Sequence, residues 1–260
     1  MFSQFQIEFA TNIFDELSKS TAEFENIIDG RLGANLIDYQ NNLIPLVRTT
    51  TIYNKPPQIF LPIHYEIINK IKQVSDDTKS KPKLNFNNAM IEIYDSRYTK
   101  MGYHTDQSLD LEPDSYICIF SCYDNPLTPD IRKLKIKEKT TNNCSEFLLN
   151  HNSIVLFSLN TNSNHLHKIV LETNTSNTKW LGITFRLSKT FIQHIAFRLS
   201  KTFIPCDTVP YFYQSKKVLR LANKEEKKAF MKYKGIENQT TDYVYPEIDY
   251  TVSVGDTISI

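Results

Sequence analysis

AMIEIYDSRYTKMGYHTD, residues 89–106, decides the fold, because it begins with the residue pattern of a strand and ends in a His-x-Asp pair. Its first part, AMIEIY, is rich in the β-branched and aromatic residues that favour strands. Four more segments of this kind follow it: YICIFS (116–121), SIVLFSL (153–159), HKIVL (167–171) and WLGITFRL (180–187). Turn-forming segments such as DNPLTPD and NTNSN (160–164) separate them, and no long helical pattern intervenes. This spacing predicts an antiparallel sandwich or jelly roll.

Helical patterns lie on either side of this strand-rich region. Apolar residues recur at helical spacing in residues 9–18 and, more clearly, in residues 63–74. Towards the other end, Asn223 and Glu226 fit a capping box, and Gly235 is the predicted end of that helix. The sequence thus predicts an α+β chain in three segments, namely a mixed helical lead-in with a lid, a jelly-roll core and a C-terminal helical and extended appendage, over residues 1–85, 86–204 and 205–260.

Composition sets broad limits on the class of protein. Of 260 residues, 40% are hydrophobic, which is enough for a core and argues against wholesale disorder. Lys and Arg number 30 against 29 Asp and Glu, so the net charge gives no global indication of a nucleic-acid partner. The four cysteines form no CxxC pair, which argues against a zinc ribbon and for reduced thiols inside a cell. No apolar run approaches the roughly 20 residues of a membrane span, so we expect a soluble, intracellular protein with no membrane partner.

The pair His104 and Asp106 is the first candidate for metal binding. Residues i and i+2 of an extended segment point to the same side, so both side chains can hold one ion. A ferrous centre that activates oxygen needs two imidazoles and one carboxylate on one face, with the opposite face open. A His-x-Asp pair is common by chance, and the alternative for these two residues is a solvated turn.

The third ligand is expected on a later strand, where SNHLHKIVL offers two histidines. His167 is the preferred ligand, because it begins the apolar run and a strand holds a ligand better than a loop does. His165 lies at the polar end of the loop, where it either donates to the site or is an ordinary loop residue. An ordinary surface or core histidine is likewise the alternative for His167.

The strand WLGITFRL offers a site for a carboxylate. Alternation places Trp180, Gly182, Thr184 and Arg186 on one face, and the two small residues leave room beside the guanidinium. Arginine binds a carboxylate through two parallel hydrogen bonds, which suits a buried anion site. The alternative is an ordinary surface arginine on a half-exposed strand.

Two further features bear on this carboxylate site. FRLSKTFI occurs at 185–192 and again at 197–204, so Arg198 is an alternative to Arg186. We prefer Arg186, because it follows the better strand and lies nearer the candidate metal ligands in sequence. Tyr94, on the strand that leads to the His-x-Asp pair, either bonds the same carboxylate or belongs to the core.

Together, His-x-Asp, a later His and a strand that ends in T-F-R resemble the AlkB-like 2-oxoglutarate/Fe(II) dioxygenases. The resemblance covers residues 86–190 and is most specific in IEIYDSRYTKMGYHTD and WLGITFR. It implies a double-stranded β-helix, or jelly roll, that uses Fe(II), 2-oxoglutarate and O2. It also implies roles for the candidate residues: His104, Asp106 and His167 as metal ligands, and Tyr94, Thr184 and Arg186 around the 2-oxoglutarate.

The chain departs from the family pattern beside this site. The family usually has an Arg six residues before the closing Arg and an Asn four residues before it, and here these positions hold Trp180 and Gly182. One contact to the carboxylate is therefore missing, and Lys179 is the nearest replacement in sequence. The segment VRTTTIY (47–53) resembles the lid on the substrate side in this family.

The implied reaction is oxidative decarboxylation of 2-oxoglutarate to succinate, coupled to hydroxylation of a substrate carbon. Many members of the family remove alkyl groups from nucleic-acid bases in this way, so a base in DNA or RNA is the first substrate hypothesis. Two local basic stretches, at 131–139 and 216–228, fit it, although solvated protein faces are the alternative. The rival hypotheses are a protein side chain or a small metabolite as substrate, and a decayed, non-catalytic binding module. The sequence does not indicate an oligomeric state.

Overall fold

The computed structural model describes residues 1–20, 23–76, 84–127, 129–195 and 209–260. The strands and helices follow the chain in this order: β1 (Ser3–Gln6), α1 (Phe14–Ser20), β2 (Glu25–Ile28), β3 (Arg31–Ile37), β4 (Ile44–Leu46), β5 (Gln58–Ile59), α2 (Pro62–Asp76), β6 (Asn88–Tyr94), β7 (Tyr116–Tyr123), β8 (Lys133–Glu138), β9 (Cys144–Leu148), β10 (Ser153–Ser158), α3 (Leu159–Asn164), β11 (His165–Val170), β12 (Trp180–Arg186), β13 (Thr190–Ile195), β14 (Val209–Phe212), β15 (Arg220–Leu221), α4 (Lys224–Gln239) and β16 (Tyr250–Thr251), with a 3₁₀-helix at Val254–Thr257. No helix within these described ranges is long and apolar enough to cross a membrane.

A large sheet forms the centre of the fold. Its strands lie in the order β1-β10-β7-β12-β6-β3-β2 with antiparallel neighbours, and β5 adds to β3 in parallel. A second antiparallel sheet has the order β11-β8-β9. The two sheets share an apolar cluster, in which Ile119 and Phe157 of the large sheet meet Leu134 and Ile136 of the smaller one. The predicted antiparallel architecture of packed sheets is therefore confirmed.

The central strand β12 shows how residue alternation builds both faces of the large sheet. Leu181, Ile183 and Phe185 point to one side, where they join a buried cluster with apolar residues of α1 and α2. Trp180 points to the other side and belongs to the cluster between the two sheets. Full burial of one such apolar side chain contributes roughly 1.5–3 kcal/mol. The helices thus cover one face of the large sheet, and its opposite face is left to carry the site.

The N-terminal helices agree with the sequence pattern in one case and differ in the other. Helix α2 confirms the predicted stripe, because Ile63, Ile67 and Ile71 are all buried. Helix α1 begins at Phe14, later than the prediction for residues 9–18. Its start is set by Asn12, whose side-chain oxygen accepts the Phe14 N–H at 3.0 Å.

Helix α3 and strand β8 are among the elements of the core region that the sequence did not predict. The segment NTNSN, expected to be a turn, lies in helix α3, which begins after Ser158 because that hydroxyl accepts the Thr161 N–H at 3.1 Å. The basic stretch 131–139 contains strand β8, in which Leu134 and Ile136 alternate with lysines and are buried. Alternating lysines hid this strand, because only its inward face is apolar.

The C-terminal helix confirms one prediction and corrects another. The capping box is present, since Asn223 accepts the Glu226 N–H at 3.0 Å and Glu226 accepts the Asn223 N–H at 2.9 Å. Gly235 does not end the helix, which continues to Gln239. Its last turn is stabilised because Glu237 and Asn238 accept hydrogen bonds from the segment that follows His104.

The three predicted segments contact one another closely, and their division stays a prediction. Strands β2 and β3 of the lead-in extend the large sheet beside β6. Buried Arg48 joins all three segments: it pairs with Asp110 at 2.7 Å and donates to the carbonyls of Ile248 and Tyr250 at 2.8 and 3.1 Å. Removing one partner of a buried ion pair is strongly destabilising, so we expect this contact to fix the segments together.

Candidate metal centre

Two of the predicted ligands face each other across a backbone pairing. The His104 N–H donates to the His167 carbonyl at 3.0 Å, and the His167 N–H donates back at 2.7 Å. Asp106 follows two residues after the first of them. One ligand atom from each of His104, Asp106 and His167 lies within 4.8 Å of the others. The structure brings the three residues together, and a set of two imidazoles and one carboxylate suits ferrous iron.

Burial and charge favour the protonation states that a metal needs. Desolvation, with a further contribution from His167, lowers the pKa of His104 to about 3, so this imidazole is neutral near pH 7. Its Nδ1 lies 3.0 Å from the carbonyl of Gly102, so this nitrogen donates there and the other ring nitrogen is available to a metal. Burial alone would raise the pKa of Asp106, but the Arg186 guanidinium and the two histidines outweigh it and hold that pKa well below its usual value.

His165, the alternative third ligand, lies outside this group. Its Nδ1 bonds the carbonyl of Thr161 at 2.8 Å, and its ring packs edge-on against Phe2. His167 is buried, and its Nε2 lies 3.5 Å from the Asp106 carboxylate. The structure therefore groups His167, and not His165, with the His-x-Asp pair.

Asp106 is held by two residues from distant parts of the chain. The Arg186 Nε–H donates to its carboxylate at 2.8 Å. Asn162 of α3 bonds the Asp106 backbone twice, accepting its N–H and donating to its carbonyl, both at 2.8 Å. Sequence reasoning missed Asn162, because a buried asparagine in an Asn-rich segment gives no local signal.

Helix α4 holds the residues beside the ligands. Buried Lys234 donates to the carbonyl and the hydroxyl of Thr105 at 2.6 and 2.8 Å and to Glu237 at 2.7 Å. Glu237 also accepts the Ser108 N–H at 2.8 Å, and Asn238 accepts the Thr105 N–H at 3.0 Å. Burial lowers the pKa of Lys234, although Glu237 opposes this shift. The C-terminal segment, to which the sequence assigns no role, thus supports the segment that carries His104 and Asp106.

A cavity of about 400 Å³ is open at this centre. Residues 49–51, from the segment that resembles a lid, lie in its wall, and Tyr98, Met101 and Tyr103 add apolar and aromatic surface. Its wall also includes every site residue that the sequence predicts: His104, Asp106, His167, Tyr94, Thr184 and Arg186. The cavity therefore combines a cluster of metal-binding groups, a guanidinium and an apolar rim in one space.

Tyr94 lies in a row of residues across three strands of the large sheet. It pairs with Arg31 on β3 and with Trp180 on β12. Its buried hydroxyl donates to Glu92 Oε2 at 2.6 Å, and the Arg31 Nε–H donates to Glu92 Oε1 at 2.7 Å. Burial, and then the Glu92 carboxylate, raise the pKa of Tyr94 well above its usual value. Tyr94 is thus both a core residue and part of the cavity wall, and Arg31 is a cavity residue that sequence reasoning missed.

The structure shows what surrounds the positions that depart from the family pattern. The Trp180 ring lies over Gly182, where a Cβ would come within 1.9 Å of it, so packing requires glycine there. Lys179 is exposed and is not part of the cavity wall, so it does not replace the missing cation. The second FRLSKTFI copy, with Arg198, lies outside the described residues.

Comparison with known proteins agrees with this arrangement. The model of the 2OG-Fe(II) oxygenase superfamily matches residues 40–186, more than half of the chain. Among solved structures, one titled "The structure of OsALKBH1" matches with 14% sequence identity and a TM-score of 0.40, over 57% of this chain and 81% of that chain. No curated protein matches.

The match to the superfamily model confirms the predicted jelly-roll fold and, at the level of the superfamily, the resemblance to 2-oxoglutarate/Fe(II) dioxygenases. It also confirms Fe(II), 2-oxoglutarate and O2 as the cofactors. The chain belongs to the 2OG-Fe(II) oxygenase superfamily.

Proposed function

We propose that this chain is a dioxygenase that hydroxylates a substrate C–H bond while 2-oxoglutarate is decarboxylated to succinate, with His104, Asp106 and His167 as metal ligands. The observation that supports it most is the convergence of these three ligand atoms, within 4.8 Å, in the wall of an open cavity. Bound iron, with 2-oxoglutarate and O2, supplies the oxidising power. The protein holds the ligands, orients the oxoacid and limits the access of water.

We assign Arg186, Tyr94 and Thr184 to the oxoacid. Among the described residues, Arg186 donates to Asp106 through Nε, which leaves its Nη groups for a carboxylate that shares the metal. Thr184 lies two residues before it on the same face of β12, and both line the cavity. The Tyr94 hydroxyl has one proton, which it donates to Glu92, so to bind the acid it would have to turn away from Glu92. These three residues would bind and orient the acid, and the bound metal would supply the redox chemistry.

Within this reaction class, we propose an alkylated nucleic-acid base as the substrate. The support is the family resemblance together with an apolar and aromatic rim at Tyr98, Met101 and Tyr103, which suits a flat, partly apolar group. A protein side chain or a small metabolite is the rival substrate.

The two basic stretches do not add to this proposal. In 131–139, Arg132 is buried and donates to the backbone carbonyls of Tyr98 and Asp95, and Lys133 pairs with Glu172 at 2.8 Å. In 216–228, Lys217 pairs with Glu247, Arg220 with Glu226 and Asp249, and Lys228 with Glu225. Cations that are already paired attract phosphates weakly, so these members of the two stretches add little to the proposal.

The test is product formation with Fe(II), ascorbate and 2-oxoglutarate. We expect the unmodified protein to form succinate with or without a substrate. It should also release formaldehyde when a methylated DNA or RNA oligonucleotide is added. Asp106→Asn should abolish succinate, and Asp114→Asn, an exposed control, should not. Succinate without formaldehyde from any methylated base would exclude the nucleic-acid substrate. No succinate from a metal-loaded protein would favour the decayed binding module.

A further inference from the structure

2-Oxoglutarate carries two carboxylates, and the second needs a partner that the assignments above do not supply. A buried carboxylate requires a paired cation or several hydrogen bonds. Among the described residues, Arg31, Arg186 and Lys234 are the Lys and Arg side chains in the cavity wall. Arg186 touches the metal ligand Asp106, and the three donors of Lys234 bond Thr105 twice and Glu237. Arg31 is therefore the cation left for a second carboxylate.

Arg31 lies in the same row of residues as Trp180, the position where the family usually has its first arginine. Residues opposite one another on neighbouring antiparallel strands point to the same face of the sheet. Arg31 and Trp180 are the two partners of Tyr94 in this register, one on β3 and the other on β12. The row thus carries a tryptophan on the β12 side and a guanidinium on the β3 side. The row therefore still carries a cation, which lies two strands away from the position where the family pattern has its first arginine.

The guanidinium is oriented before any ligand arrives. Glu92 accepts from Arg31 Nε–H at 2.7 Å and lies 2.5 Å from Nη2, while its other oxygen accepts from Tyr94. The Arg31 side chain is 15% exposed although Glu92 is only 6% exposed, so the arginine keeps a face towards the cavity. A guanidinium held on one edge by a carboxylate can bind a second carboxylate on another edge.

An unpartnered hydroxyl lies beside this pair. Gly33 is directly opposite Glu92 on β3, and a Cβ on Gly33 would lie 3.1 Å from the Tyr53 hydroxyl. The Tyr53 side chain is buried, and its hydroxyl has no hydrogen-bond partner among the residues that the structure describes. Such a group is costly to leave unsatisfied, and an acceptor bound next to Arg31 would satisfy it.

The charges of the cavity also balance for a dianion. The cavity cations Arg31, Arg186 and Lys234 each pair with one carboxylate, on Glu92, Asp106 and Glu237. These pairs are neutral together, so a bound Fe²⁺ adds two positive charges that a dianionic acid cancels. An acid with a single carboxylate would leave one charge uncompensated in a desolvated space.

We infer that Arg31 binds the distal carboxylate of 2-oxoglutarate, with Glu92 as the residue that positions it and the Tyr53 hydroxyl as a second donor. This inference rests on the proposed function, because it assumes that the acid binds at His104, Asp106 and His167. It makes Arg31 the residue that selects a dicarboxylic oxoacid over a monocarboxylic one.

The experiment compares two acids of equal length on the Mn²⁺-loaded protein without O2. Isothermal titration measures the affinity for 2-oxoglutarate and for 2-oxopentanoate, which lacks the distal carboxylate. We expect the unmodified protein to prefer 2-oxoglutarate by about 30-fold, the scale of one charge-assisted pair. Arg31→Gln should reduce this preference to within about threefold while the affinity for Mn²⁺ and for 2-oxopentanoate is retained.

Arg31→Gln by itself leaves Glu92 buried without a cation, which destabilises the fold. A second variant avoids this effect. Arg31→Gln combined with Glu92→Gln leaves no unpaired charge, and it should lose the preference as well. Arg97→Gln, which removes an exposed arginine, is the matched control and should keep it.

The outcomes separate this inference from the proposed function. A double variant that still prefers 2-oxoglutarate by more than about tenfold would overturn the role of Arg31 and leave the proposed function standing. Equal binding of both acids by the unmodified protein would overturn it too. Failure of both acids to bind the Mn²⁺-loaded protein would contradict the proposed function itself.

Discussion

The two ends of the cavity are built in different ways. The metal end, at His104 and Asp106, lies in the segment between β6 and β7, where His104 forms a single backbone bridge to His167, and residues far away in sequence hold it in place. Lys234 reaches it from α4 and Asn162 from α3. The opposite end, around Glu92, stands on neighbouring strands of the large sheet, whose register alone brings the side chains together.

This difference indicates how each end tolerates change. Where side chains stand on paired strands, the hydrogen-bonded backbone fixes their positions. Replacing one of them should therefore not displace the others. A site on a segment between strands depends on its outer contacts, whose loss typically costs about 10- to 100-fold in metal affinity. Substitutions that never touch the metal should therefore weaken the metal end, whereas the sheet end should respond only to its own side chains.

The largest effect is expected when a ligand is removed from the metal end. His167→Ala should lower the affinity for Mn²⁺ by more than about 100-fold, because it removes a ligand rather than an outer contact. Titration of the purified protein with Mn²⁺ measures this directly. His165→Ala is the matched control, two residues away with its ring hydrogen-bonded to α3, and should bind Mn²⁺ normally. Equal losses in both variants would contradict the ligand assignment.

The next largest effect is expected for Arg186, which donates to the metal ligand Asp106 and is assigned to the oxoacid. Arg186→Ala leaves the buried Asp106 carboxylate without its cation, which should cost about 3 kcal/mol of unfolding free energy in the metal-free protein. Urea unfolding measures this loss, and added Mn²⁺ should recover part of it because the ion neutralises the same carboxylate.

The same variant tests the repeated segment. Arg186→Ala should abolish binding of 2-oxoglutarate to the Mn²⁺-loaded protein, and Arg198→Ala, the equivalent change in the second copy, should be tolerated. The reverse result would mean that the second copy supplies the functional strand.

A smaller effect separates the two ends most clearly. Lys234→Met removes the donor that Thr105 and Glu237 share, so the affinity for Mn²⁺ should fall by about tenfold without any loss of a ligand. Lys232→Met, on the exposed side of the same helix, should have no effect. If Lys234→Met binds Mn²⁺ as tightly as the unmodified protein does, helix α4 does not support the metal end.

The smallest effect is a dependence of stability on pH near the contact between Arg48 and Asp110. Burial raises the pKa of Asp256 from an ordinary 3.8 to about 7, so between these values the unfolded chain ionises this group and the folded chain does not. Stability is therefore lost as the pH rises from about 4 to about 7.

Asp256→Asn removes this loss. Thermal unfolding should show the variant to be more stable than the unmodified protein at pH 8, with no advantage at pH 4. An advantage that grows as the pH falls would contradict the assignment of this titration to Asp256.

Several features of the fold and the site were predictable from local sequence alone. The alternation in WLGITFRL placed Arg186 and Thr184 on the cavity face, and the apolar stripe of residues 63–74 marked α2. Spacing of two residues placed His104 and Asp106 together. These predictions depend on the short repeat of a strand or a helix, which a chain of any fold must obey.

Other features depend on which distant segments meet, and no local repeat encodes that. Arg31 gave no signal, because its role follows from the pairing of β3 with β6, and Lys234 gave none, because α4 returns to Thr105 across about half of the chain. Gly235 failed as a predicted helix end for the same reason: contacts to the remote segment that follows His104, rather than local propensity, extend α4. The sequence by itself determined the chemistry of the metal ligands, whereas only tertiary packing decided which remote side chains orient them and which cation lies beside Tyr94.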